Sequence, residues 1–452
     1  MSVRPDLDMT NGPLLMKMVR FSIPLILTGV LQLLYNAADI VVVGRFAGPQ
    51  ALAAVGSTSS LINLLVNVFM GLSVGASVVV AKAWGARDHQ SVARTVHTAI
   101  TLAAIGGIVL TIVGFCFSGA FLAWMGTPLD VLPGATLYMQ IYFAGMPFNL
   151  LYTFSAAILR AVGDTKRPLY FLTLAGLVNV VLNLLFVIVL HMSVDGVALA
   201  TIISQAISMV LALRCLMHAD TSIRLMPGEL RIYKKPFLQI IQVGLPAGIQ
   251  GSLFSISNVL IQSAVNSFES VAMAGNAAAA NLEGFVYTAM NSVYQADITF
   301  ASQNMGAGKP QRVKRILWLC LGLVTFIGGT TGGALYLFGE PLLSIYNGDP
   351  QVIQFGMRRL AVISLTYFTC GWMDVMVGQM RGIGCSLLPM VVSLTGACLL
   401  RVVWIYTLFA ANPTPECLFI SYPISWVLTS CTHLICYFIV RKKHLPQEAL
   451  VQ

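Results

Sequence analysis

Long apolar runs recur along this chain at nearly regular intervals, and they leave it few ways to fold. Twelve stand at 20–43, 52–80, 95–117, 135–158, 169–190, 197–217, 237–266, 271–299, 316–338, 355–380, 389–411 and 417–440. Each can cross the hydrocarbon core of a bilayer as a helix, which takes about 20 residues. Lipid offers no partners to backbone N–H and C=O groups, so only helices and closed barrels span it. Barrel strands would appear as alternating segments of about ten residues, and the runs do not alternate. The expected fold class is therefore an all-α polytopic membrane protein with 12 transmembrane helices. Breakers fall between the runs, at Gly48-Pro49, Thr127-Pro128, Gly163-Asp164, Pro227-Gly228, Gly308-Lys309-Pro310, Asn347-Gly348-Asp349-Pro350 and Asn412-Pro413.

Charge confirms the class and sets the orientation. Only 10% of the 452 residues are charged, against about 25% in soluble domains. The net charge of +9 points to no nucleic acid, because the cations sit in short loops between apolar runs. With the N-terminus in the cytoplasm, the inner side gathers 22 of the 26 Lys and Arg residues. Arg45, Arg358 and Arg359 remain outside, and Arg401 falls within a run. This bias predicts a multi-pass protein of the cell membrane (the inner membrane of a two-membrane cell) with both termini cytoplasmic. The first run is too long for a signal-peptide core. The nine Cys residues include no CxxC pair, and no two His are four apart, so no metal site is expected beyond a Na+ site. No phosphate-binding GxxxxGK[ST] loop occurs. Neither an enzyme nor an ATP-driven pump is expected, and no cofactor.

The chain repeats itself. Trp84-Gly85-Ala86-Arg87 resembles Met305-Gly306-Ala307-Gly308, and the stretch Arg160–Pro168 resembles Arg381–Pro389. The step in numbering from Gly85 to Gly306 equals that from Arg160 to Arg381. Ile23-Pro24 matches Leu245-Pro246 at a step longer by one. Six is even, so two six-helix halves at one offset are parallel repeats, an arrangement typical of transporters. The predicted divisions are a lead-in at 1–19, lobes at 20–217 and 237–440, a basic linker at 218–236 and a tail at 441–452. Two lobes suffice for alternating access, so a functional monomer is expected.

Polar residues inside the runs mark the candidate site. Gln32, Tyr35, Asn36 and Asp39 fall on one helix face. A carboxyl at membrane depth costs at least a few kcal/mol and faces a cavity or a partner. Asn179 and Asn183 share a face of the fifth run, and Thr201 opens a polar stripe in the sixth. At a rise of about 1.5 Å per residue, Asp39, Asn183 and Thr201 lie at similar depth. Their oxygens suit Na+; the carboxyl can instead carry a proton, and the amides and hydroxyl can instead bond between helices. Pro24 is expected to kink the first helix. In the second half, Ile261 stands where Asp39 would repeat, amid Ser255, Asn258, Gln262 and Asn266. Glu283 and Arg401 fall at mid-depth and Asp374 in the inner half, so a Glu283–Arg401 or Asp374–Arg401 pair is expected, either structural or with a gating or substrate role. Asp297 reads as interfacial. A cavity lined by Gln32, Tyr35, Asn36, Asp39, Glu283, Tyr287 and Met290 would suit bulky organic cations.

With Pro24 and Asp39, the paired Gly-Ala loops, LRAVGDTKRP and its copy MRGIGCSLLP, the chain resembles the multidrug and toxic compound extrusion (MATE) transporters over roughly 20–440. The resemblance implies a V-shaped pair of six-helix lobes. It also implies export of organic cations or other amphipathic compounds in exchange for Na+ or H+. By the same resemblance Asp39 is the coupling acid, Asn179, Asn183 and Thr201 complete the cation site, and bending at Pro24 accompanies loading. Small-molecule substrates and membrane lipids are the expected partners. The rival reading is a lipid-linked precursor flippase, which a strongly basic cavity would favour. A receptor-like membrane protein would move no solute.

Overall fold

The computed structural model describes residues 7–47, 49–268 and 270–444. Residues 1–6 of the expected lead-in, Gly48 and residues 445–452 of the expected tail lie outside the described residues. The described residues form helices and no strand. In chain order these are α1 (Leu14–Val42), α2 (Pro49–Gly85), α3 (His89–Trp124), α4 (Leu132–Ala144), α5 (Met146–Ala161), α6 (Lys166–Leu184) and α7 (Val194–Met217). There follow α8 (Lys234–Val265), α9 (Ser270–Gly306), α10 (Pro310–Leu337), α11 (Gly339–Tyr346), α12 (Pro350–Thr366) and α13 (Phe368–Ile383). The last three are α14 (Leu387–Ser393), α15 (Leu400–Trp404) and α16 (Pro415–His444).

Several helices begin where the breakers stand. Asp88 caps α3 by accepting from the Ser91 N–H at 3.0 Å. Asp349 caps α12 by accepting from the Gln351 N–H at 2.8 Å, with Pro350 at the first helical position. Among the described residues, nine helices can cross a membrane by length and composition, and two bent pairs raise this to as many as eleven. The one remaining expected run, 271–299, is α9, 37 residues long but diluted by Asn276, Glu283, Asn291 and Asp297.

Two features escape the apolar pattern. The fourth and tenth spans are broken, α4 from α5 by 47° and α12 from α13 by 44°. The breaks fall at Gly145 and Tyr367, one repeat apart. Wider π-helical turns also follow the repeat, at Leu185–Val189 and Ile405–Phe409, with further ones at Val43–Ala47 and Leu394–Leu399.

The chain divides into two compact units, but not in the linker as expected. One unit comprises residues 7–8 with 27–248, and the other residues 9–26 with 249–444. The divisions fall inside α1 and α8, each two residues past a helix proline, Pro24 or Pro246. The linker thus belongs to the first unit, and the described lead-in from Met9 to the second. In the first unit, glycines let α2 and α8 touch backbone to backbone. A methyl on Gly71 would stand 2.1 Å from the Gly248 nitrogen, and one on Gly244 would stand 2.6 Å from the Leu72 Cα. Gly71/Gly75 and Gly244/Gly248 both have the small-xxx-small spacing of close membrane helix pairs. In the second unit, the Phe21 and Phe300 rings meet edge to face at 5.7 Å. Asn304 Nδ2 donates to the Met9 carbonyl at 3.1 Å, Lys309 Nζ to that of Thr10 at 2.8 Å and Arg312 Nη1 to that of Gly12 at 3.1 Å.

Candidate cation-coupling site

The first unit brings three of the expected residues together. α1 lays Tyr35 and Asp39, one turn apart, along α6. Tyr35 fits because residue 176 is glycine: a methyl there would lie 1.9 Å from the ring. The Tyr35 hydroxyl donates to the Thr173 carbonyl at 3.2 Å. One turn outward, Asn183 Nδ2 donates to Asp39 Oδ1, and also to Asn179 Oδ1 at 3.2 Å. Asn179 and Asn183 are buried, and Asn183 Oδ1 has no hydrogen-bond partner. The π-helical turn begins two residues beyond Asn183, and such turns recur at functional sites. Buried acceptors beside a carboxyl are what a small hard cation or a proton would satisfy.

Thr201 joins this group by depth only. Its hydroxyl donates to the Val197 carbonyl within its own helix at 3.0 Å. Gln32 and Asn36 are exposed. Two tyrosines of α4 lie beyond the expected set. Tyr138 is buried in the neighbourhood of Asp39, and its ring stacks on Tyr142 at 6.1 Å. Their spacing of four within the fourth run was the available signal.

The second unit corrects several expectations. Glu283 pairs with Arg359, not Arg401. Arg359 Nε donates to Oε1 at 3.0 Å and Nη2 to Oε2 at 2.7 Å. The remaining Nη1 donates to Asn276 Oδ1 at 2.7 Å. Arg359, read as an outer-loop cation, is 7% exposed, and Glu283 is 3% exposed. Glu283 is thus closed inside a bidentate clamp between α9 and α12 instead of facing a substrate cavity. Asp374 lies near Arg381 and Tyr287, and no ion pair joins it to Arg401 among the described residues. Arg381 reaches Tyr294 through Nη1 and Gln250 Oε1 through Nη2, the latter at 2.8 Å. Met290, expected in a cavity wall, is buried, with its sulfur packed against Gly328 and Gly371. Asp297, expected at the interface, is wholly buried because glycine at 378 admits its carboxyl against the backbone of α13. Tyr287 is 39% exposed.

A polytopic helical protein built from two copies of a six-helix plan, with a carboxyl and two amides clustered at depth in one copy, has the make-up of a transporter. Comparison gives the family. The sequence model of the MatE family matches residues 24–185 and again 246–407, so both repeats are covered over stretches of equal length. The chain belongs to the MatE family, whose members are transporters. It is 30% identical over 383 residues to "Probable multidrug resistance protein YoeA" of Bacillus subtilis, covering 83% of this chain and 82% of that one. It is 23% identical over 366 residues to a protein of Shewanella oneidensis named "FAD transporter", covering 80% of each. Among solved structures it resembles an outward-facing multidrug resistance MATE transporter, with a TM-score of 0.90, 20% identity and coverage of 97% and 98% of the two chains.

Proposed function

We propose that this protein is a multi-pass exporter of the cell membrane, both termini cytoplasmic. It moves amphipathic organic compounds, organic cations among them, outward in exchange for Na+ or H+. The observation that carries the reading is the Asp39–Asn183–Asn179 cluster, whose buried Asn183 Oδ1 is unsatisfied. Asp39 binds the coupling ion, the two amides offer it oxygens, and Thr201 at the same depth can supply a further lone pair. Loading of Asp39 and bending of α1 at Pro24 are coupled in this scheme, and one chain suffices for the cycle. The relatives' names support export without fixing the cargo, since one is named for multidrug resistance and another for a flavin dinucleotide.

The test is uptake of a fluorescent organic cation into inverted vesicles under an imposed Na+ or H+ gradient. Wild type takes up the dye under one of the two gradients, and that gradient names the ion. Uptake under neither, by folded protein, would contradict the antiport.

A further inference from the structure

The basic linker is tied to α3 at two points that are far apart on the linker and adjacent on the helix. His97 and Thr98 are neighbours on α3, and both are buried. His97 Nε2 accepts from the Met226 N–H at 3.1 Å, and Thr98 Oγ1 accepts from the Tyr233 N–H at 3.1 Å. His97 Nδ1 therefore carries the ring proton, which it gives to the Ala93 carbonyl at 2.7 Å. The linker from Met226 to Tyr233 is thus held across a single residue step of helix, and its surplus length must arch outward. Pro227-Gly228-Glu229 turn the arch as a short 3-10 helix, with the Glu229 N–H on the Met226 carbonyl at 2.9 Å. The arch and α3 line a cavity of about 440 Å³, whose walls include Gln90, Arg94, His97, Glu229, Arg231 and Tyr233. All of these residues belong to the first unit.

Two cations of the cavity converge on one ring. The guanidinium carbons of Arg94 and Arg231 lie 5.7 and 4.5 Å from the Tyr233 centroid. Both arginines are exposed, and neither forms an ion pair among the described residues. Stacking on a ring uses the face of a guanidinium and leaves its N–H edge for hydrogen bonds. Two like charges on one ring repel, and an anion received by both edges relieves that repulsion. Glu229 offsets one of the two charges, so the balance of the lining stays positive. The cavity lies beside the starts of α3 at His89 and α8 at Lys234, two helices long and apolar enough to cross a membrane. It therefore opens at the level where lipid meets water. Met226, Leu230 and Ile232 of the linker are exposed there, and Leu230 is part of the cavity wall. Free phosphate would gain nothing from these apolar neighbours, whereas a phosphate that carries acyl chains would meet them.

We propose that this cavity binds the headgroup of an anionic phospholipid from the leaflet on the linker's side. The phosphate oxygens accept from the N–H edges of Arg94 and Arg231, and Met226, Leu230 and Ile232 meet the acyl region. Native mass spectrometry of the purified, delipidated full chain reads binding of dioleoylphosphatidylglycerol against dioleoylphosphatidylcholine, whose choline cancels the phosphate charge. Wild type is expected to hold the anionic lipid more tightly. Arg94→Gln and Arg231→Gln should each weaken phosphatidylglycerol by about fivefold, the share of one cation beside an anionic lipid, and leave phosphatidylcholine unchanged. Arg224→Gln removes an equal charge from an exposed residue of the same linker outside the cavity wall and should change little. Inorganic phosphate at constant ionic strength should not displace the lipid. Equal affinities for the two lipids, or undiminished phosphatidylglycerol binding in both cavity variants, would overturn the site. An equal loss in Arg224→Gln would overturn it too, as the mark of undirected surface charge. Displacement by inorganic phosphate would assign the cavity to free phosphate and overturn the lipid. None of these readings needs an ion gradient, so failure of the antiport would leave the site standing.

Discussion

Buried charge in this protein is organised one residue at a time, and the sequence shows the charges more clearly than their partners. Asp39, Glu283, Asp374 and Arg401 stand out because they interrupt apolar runs. Their pairing depends on which helix faces which, and a span's length does not carry that information. Arg359 was misplaced for this reason: at the start of the tenth run it reads as a loop cation, yet α12 turns it inward onto Glu283. Removing one partner strands the other. Glu283→Ala is therefore expected to cost about 3–5 kcal/mol, seen as a lower melting temperature of the purified protein. The double variant Glu283→Ala/Arg359→Met should recover most of that loss, and a single variant as stable as wild type would mean the clamp is not closed. Gly176 carries a second prediction. Gly176→Ala forces the Tyr35 ring off α6, so efflux should fall, and Tyr35→Ala in the same chain should relieve the clash. Efflux unchanged by Gly176→Ala would contradict the α1–α6 contact.

At the scale of helices, the number of spans and the repeat were legible because both are written in spacing. A span takes about 20 apolar residues, and matched motifs return at a nearly constant offset. The bends were not legible. The run 135–158 is apolar straight through the break at Gly145, and hydropathy registers no change of direction. The π-helical turns after Asn183 and around Arg401 were invisible for the same reason, since one extra residue in a turn leaves the composition unaltered. The contact between α2 and the first half of α8 rests on glycine. Gly244→Val should wedge it open, since its first side-chain carbon would already meet the Leu72 Cα at 2.6 Å. Overpacking of this kind costs about 1–3 kcal/mol or more, read by thermal unfolding in detergent. A variant unfolding at the wild-type temperature would show that the helices part without loss.

For the whole molecule, the two units are not the two sequence halves. α1 and α8 each begin in one unit and end in the other, changing over just past Pro24 and Pro246. A proline removes one backbone hydrogen bond and weakens the helix against bending there. Pro24→Ala and Pro246→Ala should each slow transport while leaving the melting temperature unchanged or raised. A variant that transports at the wild-type rate would remove the corresponding proline from the cycle. The candidate coupling site was legible as far as Asp39, Asn179 and Asn183, because polar residues recurring on one helix face at membrane depth are expensive. Tyr138 and Tyr142 were not, because tyrosine is common in apolar runs and its polar end shows no periodicity.

The most direct test of the account is gradient-driven dye uptake by inverted vesicles carrying wild type or Asp39→Asn, with equal amounts of folded protein in each. The account predicts uptake under a Na+ or H+ gradient for wild type and none above background for Asp39→Asn. Undiminished gradient-driven uptake by Asp39→Asn would contradict it.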